Sequence, residues 1–333
     1  MMRHHYARIF IGLLFLTLLS ACNDATISDQ QSKPLTVSDG WPKKITSSYG
    51  DITLTSPPKR IVSTSVSITG TLLAIDAPVI ASGGTLANSP VADKDGYFYQ
   101  WRSVANERNV KPLYQGLANA EAVAKERPDL IIVSATGGDS AIKMYDQFSA
   151  IAPTLVINYD DKSWQELARL LASFTDRETQ AENAIQRFNH RVAEIKERIK
   201  LPPQPTTAMV YYGDGRGANF WTVNSAQGRV LQALGFELSE IPEPLTDNHQ
   251  MGRRKDIVPV NGENFADAIT GQSILLFAAE APVIQQLREN KFIAHLKAVR
   301  DHHVYAMGND SFRLDYYSSM NLLENIETLF SAQ

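Results

Sequence analysis

Residues able to do chemistry are sparse in this chain of 333 amino acids, and their spacing excludes more reactions than it offers. The run Gly213-Asp214-Gly215-Arg216-Gly217-Ala218 follows a β-branched stretch and fits the G-x-G-x-x-G/A pattern of dinucleotide-binding enzymes. That chemistry needs a helix to open at once so that its N-terminus meets the pyrophosphate, yet Phe220-Trp221-Thr222-Val223 reads as extended. A flexible cleft loop is the better reading, and an exported dinucleotide-dependent enzyme is left as a remote alternative. His249, His295, His302 and His303 fall in one half of the chain but make neither an H-E-x-x-H helix nor a Cys/His cluster. His302-His303 leads into a strand, where adjacent side chains point to opposite faces. No Gly-x-Ser-x-Gly elbow supports a hydrolase. The expectation is a non-catalytic binding protein with no cofactor and no metal held by its own side chains.

The single cysteine, Cys22, closes Leu19-Ser20-Ala21-Cys22 after the apolar run 9–18, with Arg3 and Arg8 ahead of it. A basic start, a short apolar run and small residues before a cut make a secretory signal. The Leu-Ser-Ala-Cys ending resembles the lipobox of bacterial lipoproteins, which implies cleavage before Cys22 and lipidation of its thiol. The expected place of work is the periplasm or the outer face of the cytoplasmic membrane, with the lipid as the membrane contact. Residues 22–40 read as a flexible tether, because the polar, short-sided segment 23–40 buries too little to order itself. Its eighteen residues would reach roughly 20–25 Å.

With 44% hydrophobic residues the chain can bury one or two substantial cores. Lys and Arg number 32 against 36 Asp and Glu, and loss of residues 1–21 removes Arg3 and Arg8 but no acid, so the mature net charge moves from −4 to −6. Basic residues are dispersed, and the short cluster Arg253-Arg254-Lys255 is no footprint for a polyanion, so no nucleic-acid partner is expected. Past residue 18 no apolar run approaches the ~20 residues of a spanning helix.

The elements that must position any site alternate β-branched runs with helical stretches, the grammar of parallel sheet with crossover helices. Strands are expected at 61–65, 130–134 and 154–157, with a helix over 140–151 and another over 119–125 capped by Asn119. After Pro202-Pro203 the pattern returns, with strands at 207–212, 274–277 and 303–307. Residues 121–134 resemble 263–277 in order: a glutamate, a short helix, a turn and a buried strand. Between the halves, residues 176–200 lack Gly and Pro and place Ala184, Phe188, Val192, Ile195 and Ile199 on one face. They predict one amphipathic helix of about 37 Å. The expected division is 1–21 signal, 22–40 tether, 41–175 first α/β lobe, 176–200 interlobe helix and 201–333 second α/β lobe.

Over nearly the whole mature length the chain resembles bacterial solute-binding proteins that serve importers for siderophores, haem and cobalamin. The start Pro57-Pro58-Lys59-Arg60-Ile61-Val62, the segment 121–130 and the interlobe helix carry the resemblance. It implies two Rossmann-like lobes joined by a single long helix, a ligand cleft between them, and an importer permease with its ATPase in the inner membrane as partners of a monomer. A narrower match, to the ferric enterobactin-binding proteins, rests on residues 60–82, 134–140, 158–164, 218–222 and 312–318. It implies a ferric catecholate siderophore as ligand, with iron held by the siderophore. Another iron chelate, haem or cobalamin is the alternative.

Such a ligand is a trianion with flat aromatic rings, so its site should combine arginines, which donate from a fixed fork and stack on rings, with aromatic faces. The candidates are Arg313 beside Tyr316 and Tyr317, Trp221 beside Arg216, and Trp101 beside Arg102. Where relatives carry an arginine before Val91-Ala92-Asp93, this chain has Pro90, and Arg102 is the nearest substitute by sequence. The resemblance further implies that Glu121 and Glu263, at matching places in the two lobes, dock on permease arginines.

Overall fold

The computed structural model describes residues 35–246 and 255–331. It opens with a three-stranded antiparallel sheet, β1 (Thr36–Val37), β2 (Lys43–Ser47) and β3 (Gly50–Leu54). Thr36 pairs with Thr46 and Val37 with Ile45, so the segment expected to stay a tether as far as residue 40 is already built into a sheet. The pairing sets Val37 against a core whose nearest member is the fully buried Ile45.

The first lobe follows as β4 (Ile61–Ser63), α1 (Val66–Ala74), β5 (Val79–Gly84), α2 (Arg102–Glu107), β6 (Lys111–Gln115), α3 (Ala120–Lys125), β7 (Leu130–Ser134), α4 (Tyr145–Ser149) and β8 (Thr154–Ile157). Its five strands run parallel in the order β6-β5-β4-β7-β8. Asn119 caps α3, its side chain accepting from the Ala122 amide. The helix expected over 140–151 is shorter: the Ser140 hydroxyl bonds back to the Ser134 carbonyl at 2.8 Å, a 3₁₀ turn occupies Ile142–Met144, and α4 begins only at Tyr145.

Helices α5 (Trp164–Ser173) and α6 (Glu178–Arg198) then carry the chain out of the first lobe. The 21 residues of α6 span about 32 Å, slightly less than expected, because Asp176 at φ 59° breaks the helical run before it and Ile199 is extended after it.

The second lobe comprises β9 (Thr206–Tyr211), β10 (Ala218–Trp221), α7 (Ala226–Ala233), α8 (Glu243–Thr246), β11 (Ile257–Val260), α9 (Phe265–Ala268), β12 (Ser273–Leu276), α10 (Ala281–Arg288), α11 (Lys297–Arg300), β13 (Val304–Ala306) and α12 (Tyr316–Phe330). Its strand order, β11-β10-β9-β12-β13, repeats that of the first lobe. The difference lies in β10, which is antiparallel to both neighbours. Where the first lobe inserts α1 between its first two strands, the second turns back through the glycine run 213–217, with Gly213, Gly215 and Gly217 all at positive φ. No helix opens after that loop, so the dinucleotide reading fails on geometry.

Alternation along the central strands explains how the lobes are held. Leu130 and Ile132 of β7 face one core and Ile131 and Val133 another. In β12, Leu275 joins the same core as Leu130, while Ile274 and Leu276 face a third. The shared core also takes Trp164 and Leu167 from α5, Phe188 and Ile195 from α6, and Leu322, Ile326 and Phe330 from α12. Glu327 of α12 pairs with Arg191 and Arg198 of α6, fixing the last helix along the spine.

Candidate functional site

Three helix caps shape the space between the lobes. Ser163 starts α5 with a reciprocal box, its hydroxyl accepting from the Glu166 amide while Glu166 accepts from the Ser163 amide at 2.7 Å. Ser225 starts α7 by accepting from the Gly228 amide at 2.8 Å. Only glycine fits at 228, since a Cβ there would lie 2.1 Å from the Thr222 carbonyl oxygen. Asp315 starts α12 in a box with Ser318. The chain just before or after each cap becomes cavity wall.

The cavity holds about 410 Å³, within the range of small-molecule sites. The first lobe contributes Ser67 and Thr71 of α1, residues 159–162 after β8, and Trp164 and Leu167 of α5. The facing wall is Trp221 at the end of β10, Asn224, Gln227 and Arg229, residues 255–257, and residues 312–315. Gln227 fixes part of that wall by donating to the carbonyls of Ser311 and Phe312, at 3.0 and 2.6 Å. Phe312 thereby meets Trp221 edge-on, with ring centroids 5.5 Å apart.

Arg313 spans the space. Its guanidinium lies 4.3 Å from the centroid of the Tyr159 ring and donates to Asp160 at 3.0 Å. Tyr159 is held from below by Asp139, which accepts its hydroxyl at 2.9 Å and also accepts from Ser65 and the Ser67 amide. Burial pushes the Tyr159 phenol well above its ordinary range, so it stays a neutral donor. Bonds from Ser163 hold Glu166 below the usual carboxylate range and keep it charged. Burial drives Asp315 the other way, up to about 6, although its bonds with Ser318 pull back against the rise. Arg229, Lys162 and Lys255 add positive charge to the lining, and Asp161, paired with Lys162, and Asp256 add negative charge. The indole N–H groups of Trp164 and Trp221 are buried without a hydrogen-bond partner among the described residues. The arrangement suits noncovalent capture of a flat ligand able to engage Arg313; among the described residues no histidine or cysteine lines the cavity.

Of the residues expected at the site, Arg313 and Trp221 line this cavity and the other five do not. Trp101 is fully buried in the first-lobe core, packed on Tyr97 at 5.1 Å and against Gly70 of α1. Arg102, its exposed neighbour at the start of α2, stacks on Tyr99 at 4.6 Å, outside the lining of this cavity. Arg216 sits in the turn at the opposite end of β10 from Trp221, paired with Asp214 and stacked on Tyr212 beside a separate groove. Tyr316 packs on Trp164 and Arg187. Tyr317 is half-buried, and burial pushes its phenol up to about 12. Both lie past the Asp315 cap, in the first turn of α12, rather than in the segment 312–315 that lines the cavity.

Tyr159, Asp160, Lys162, Arg229 and Phe312 line the cavity without having been singled out. The first three belong to the run 158–164 and Phe312 to the run 312–318, both already marked by resemblance. Arg229 lies one turn into α7 past Ser225, and only a capped-helix reading of Ser225 to Gly228 would have raised it. Glu121 and Glu263 are exposed, one on α3 in the β6-to-β7 crossover and the other ahead of α9 in the matching β11-to-β12 crossover. Among the described residues no group of three metal-ligating side chains occurs; His249 and Cys22 lie outside those residues.

Two α/β lobes of matching strand order, sharing one core along a helical spine and enclosing a cavity of aromatic rings, arginines and carboxylates, define a cleft-type solute-binding protein. Residues 61–311 match the model of the periplasmic binding protein family, and the chain belongs to that family. It is 52% identical over 290 residues to the ferric enterobactin-binding periplasmic protein FepB of Escherichia coli, covering 87% of this chain and 91% of that one. The solved structure of holo-ViuP matches with a TM-score of 0.78 and 32% identity over 88% of this chain and 97% of its own. The complex of Staphylococcus aureus SirA with staphyloferrin B, at TM-score 0.64 and 18% identity over 86% of this chain and 96% of its own, shares the fold.

Proposed function

We propose that this protein captures a ferric catecholate siderophore of the enterobactin type in the interlobe cavity and delivers it to the inner-membrane permease of an ATP-driven importer. The observation that carries the reading is an arginine stacked across the cleft beside an aromatic wall, Arg313 with Tyr159, Trp221 and Phe312, in a chain 52% identical to a ferric enterobactin-binding protein. Arginine supplies charge and a stacking plane together, the two properties that phenolate-bearing rings require. The protein acts by binding and release, without catalysis, as a monomer in the periplasm. Glu121 and Glu263 are the docking points on the permease, supported by their exposure and matching crossovers. Lipidation of Cys22 anchors the protein to the membrane, and mass spectrometry of the mature N-terminus will show a diacylated cysteine at position 22.

Tryptophan-fluorescence titration against ferric catecholates, ferric hydroxamates, haem and cobalamin tests the ligand class. Saturable quenching by the catecholates at the lowest concentrations is the expected result. Preference for haem or cobalamin would replace the catecholate with the alternative ligand.

A further inference from the structure

Arg313 already holds an anion, and that anion belongs to the opposite lobe. Asp160 accepts from its guanidinium at 3.0 Å, across a sequence separation of 153 residues. Both side chains are partly accessible, at 35% for Arg313 and 27% for Asp160, so a ligand in the cavity can reach the pair. Three other carboxyl groups of the wall are engaged elsewhere, Asp161 with Lys162 at 2.6 Å, Glu166 with Ser163, and Asp315 with Ser318, and Asp256 has a partner of its own. Asp160 is the one that occupies the guanidinium.

Building on the proposed catecholate function, we propose that Asp160 is an affinity-limiting residue of the ligand site, a resident counter-anion that keeps Arg313 paired until a ligand of higher negative charge displaces it. A guanidinium is a planar fork with limited sites for carboxylate or phenolate oxygens, so the two anions compete for the same donors. A ferric tris-catecholate, with three negative charges, outbids one carboxylate. A neutral chelate offers no charge in exchange and leaves the pair in place. Attraction and repulsion between charges a few ångströms apart are several-fold stronger in a partly desolvated cleft than in water, so the effect of Asp160 grows with the negative charge of the ligand. The cost is that the trianion binds less tightly than it would to an unpaired Arg313.

Asp160→Asn, which keeps the shape and removes the charge, should bind the ferric tris-catecholate trianion about tenfold more tightly than the parent, a change of ~1.4 kcal/mol. The gain should shrink as salt is raised, and Asp160→Ser should reproduce it. Affinity for a neutral ferric trihydroxamate should stay where it is, or stay unmeasurable in both proteins. Unchanged or weaker trianion binding in folded Asp160→Asn and Asp160→Ser would overturn the inference and make Asp160 a prop that positions Arg313. An equal gain for the neutral chelate would overturn it as well. If the parent itself failed to bind the tris-catecholate, the functional reading would fall, and this inference with it; loss of the Asp160 effect alone leaves the functional reading standing.

Discussion

A guanidinium stacked on Tyr159 and reaching Asp160 does work that an ammonium cannot repeat, because lysine keeps the charge but loses the plane and the fork. A charge-assisted contact to ligand at such a site contributes about 1.5–3 kcal/mol, and each 1.4 kcal/mol is roughly tenfold in affinity. Arg313→Ala should therefore weaken catecholate binding by about ten- to a hundredfold, with Arg313→Lys recovering part of the loss. Trp221→Ala should weaken binding and remove much of the fluorescence response; titrations of each purified variant check both, and parent-like binding by the two alanine variants would make these residues structural. At this scale the sequence was legible where a residue type had one plausible task. Arg313 and Trp221, picked from the runs of resemblance by asking what a flat trianion needs, both line the cavity. Trp101 met the same description, yet it fills the core beside Gly70, where a Cβ would approach within 2.8 Å of its ring. Composition cannot distinguish an indole that packs from one that lines, nor does it show that Asp139 holds the hydroxyl of Tyr159 beside the cavity.

Among the elements, α12 starts from a buried carboxyl cap. Asp315 caps it inside the protein, with its carboxyl raised to about 6 from an ordinary 3.8 chiefly by burial. The folded state then holds the proton more firmly than the unfolded chain, so the stabilisation is complete below the ordinary value and is lost as pH climbs from about 4 through 6. The separation corresponds to on the order of 3 kcal/mol. Asp315→Asn keeps a good cap residue and removes the titration. Denaturant unfolding at a series of pH values should show parent stability falling relative to the variant across that window; parallel curves would mean that Asp315 titrates normally. Strands β7 and β8 coincide with the runs 130–134 and 154–157, since buried parallel strands are short, β-branched and bounded by turns. The reversal of β10 was not legible, because glycine-rich turns precede hairpins and crossovers alike, and only pairing partners decide which forms. The helix expected to begin at Ser140 was shortened by a hydroxyl bond to Ser134 that no periodicity announces.

At the scale of the molecule, the two lobes share one core through α5, α6 and α12, so a wide swing of the lobes as separate bodies would have to break that core. The matching crossovers leave Glu121 and Glu263 exposed at equivalent places, outside the cavity lining. Reversing both charges, Glu121→Lys with Glu263→Lys, should abolish siderophore-dependent iron uptake while leaving ligand affinity nearly unchanged; a large affinity loss would remove the separation between docking and capture. The repeated lobe was readable as an order of elements, whereas the shared core was not, because a sequence shows which faces are apolar but not that two sheets bury them against the same helices. The most direct test of the account is to crystallise the protein with a ferric catecholate and locate the iron by its anomalous scattering. The account expects one iron peak between the lobes, in the cavity bounded by Tyr159, Trp221 and Arg313, with the catecholate rings against the aromatic wall. An iron peak outside that cavity, in a protein that binds the chelate saturably in solution, would contradict it.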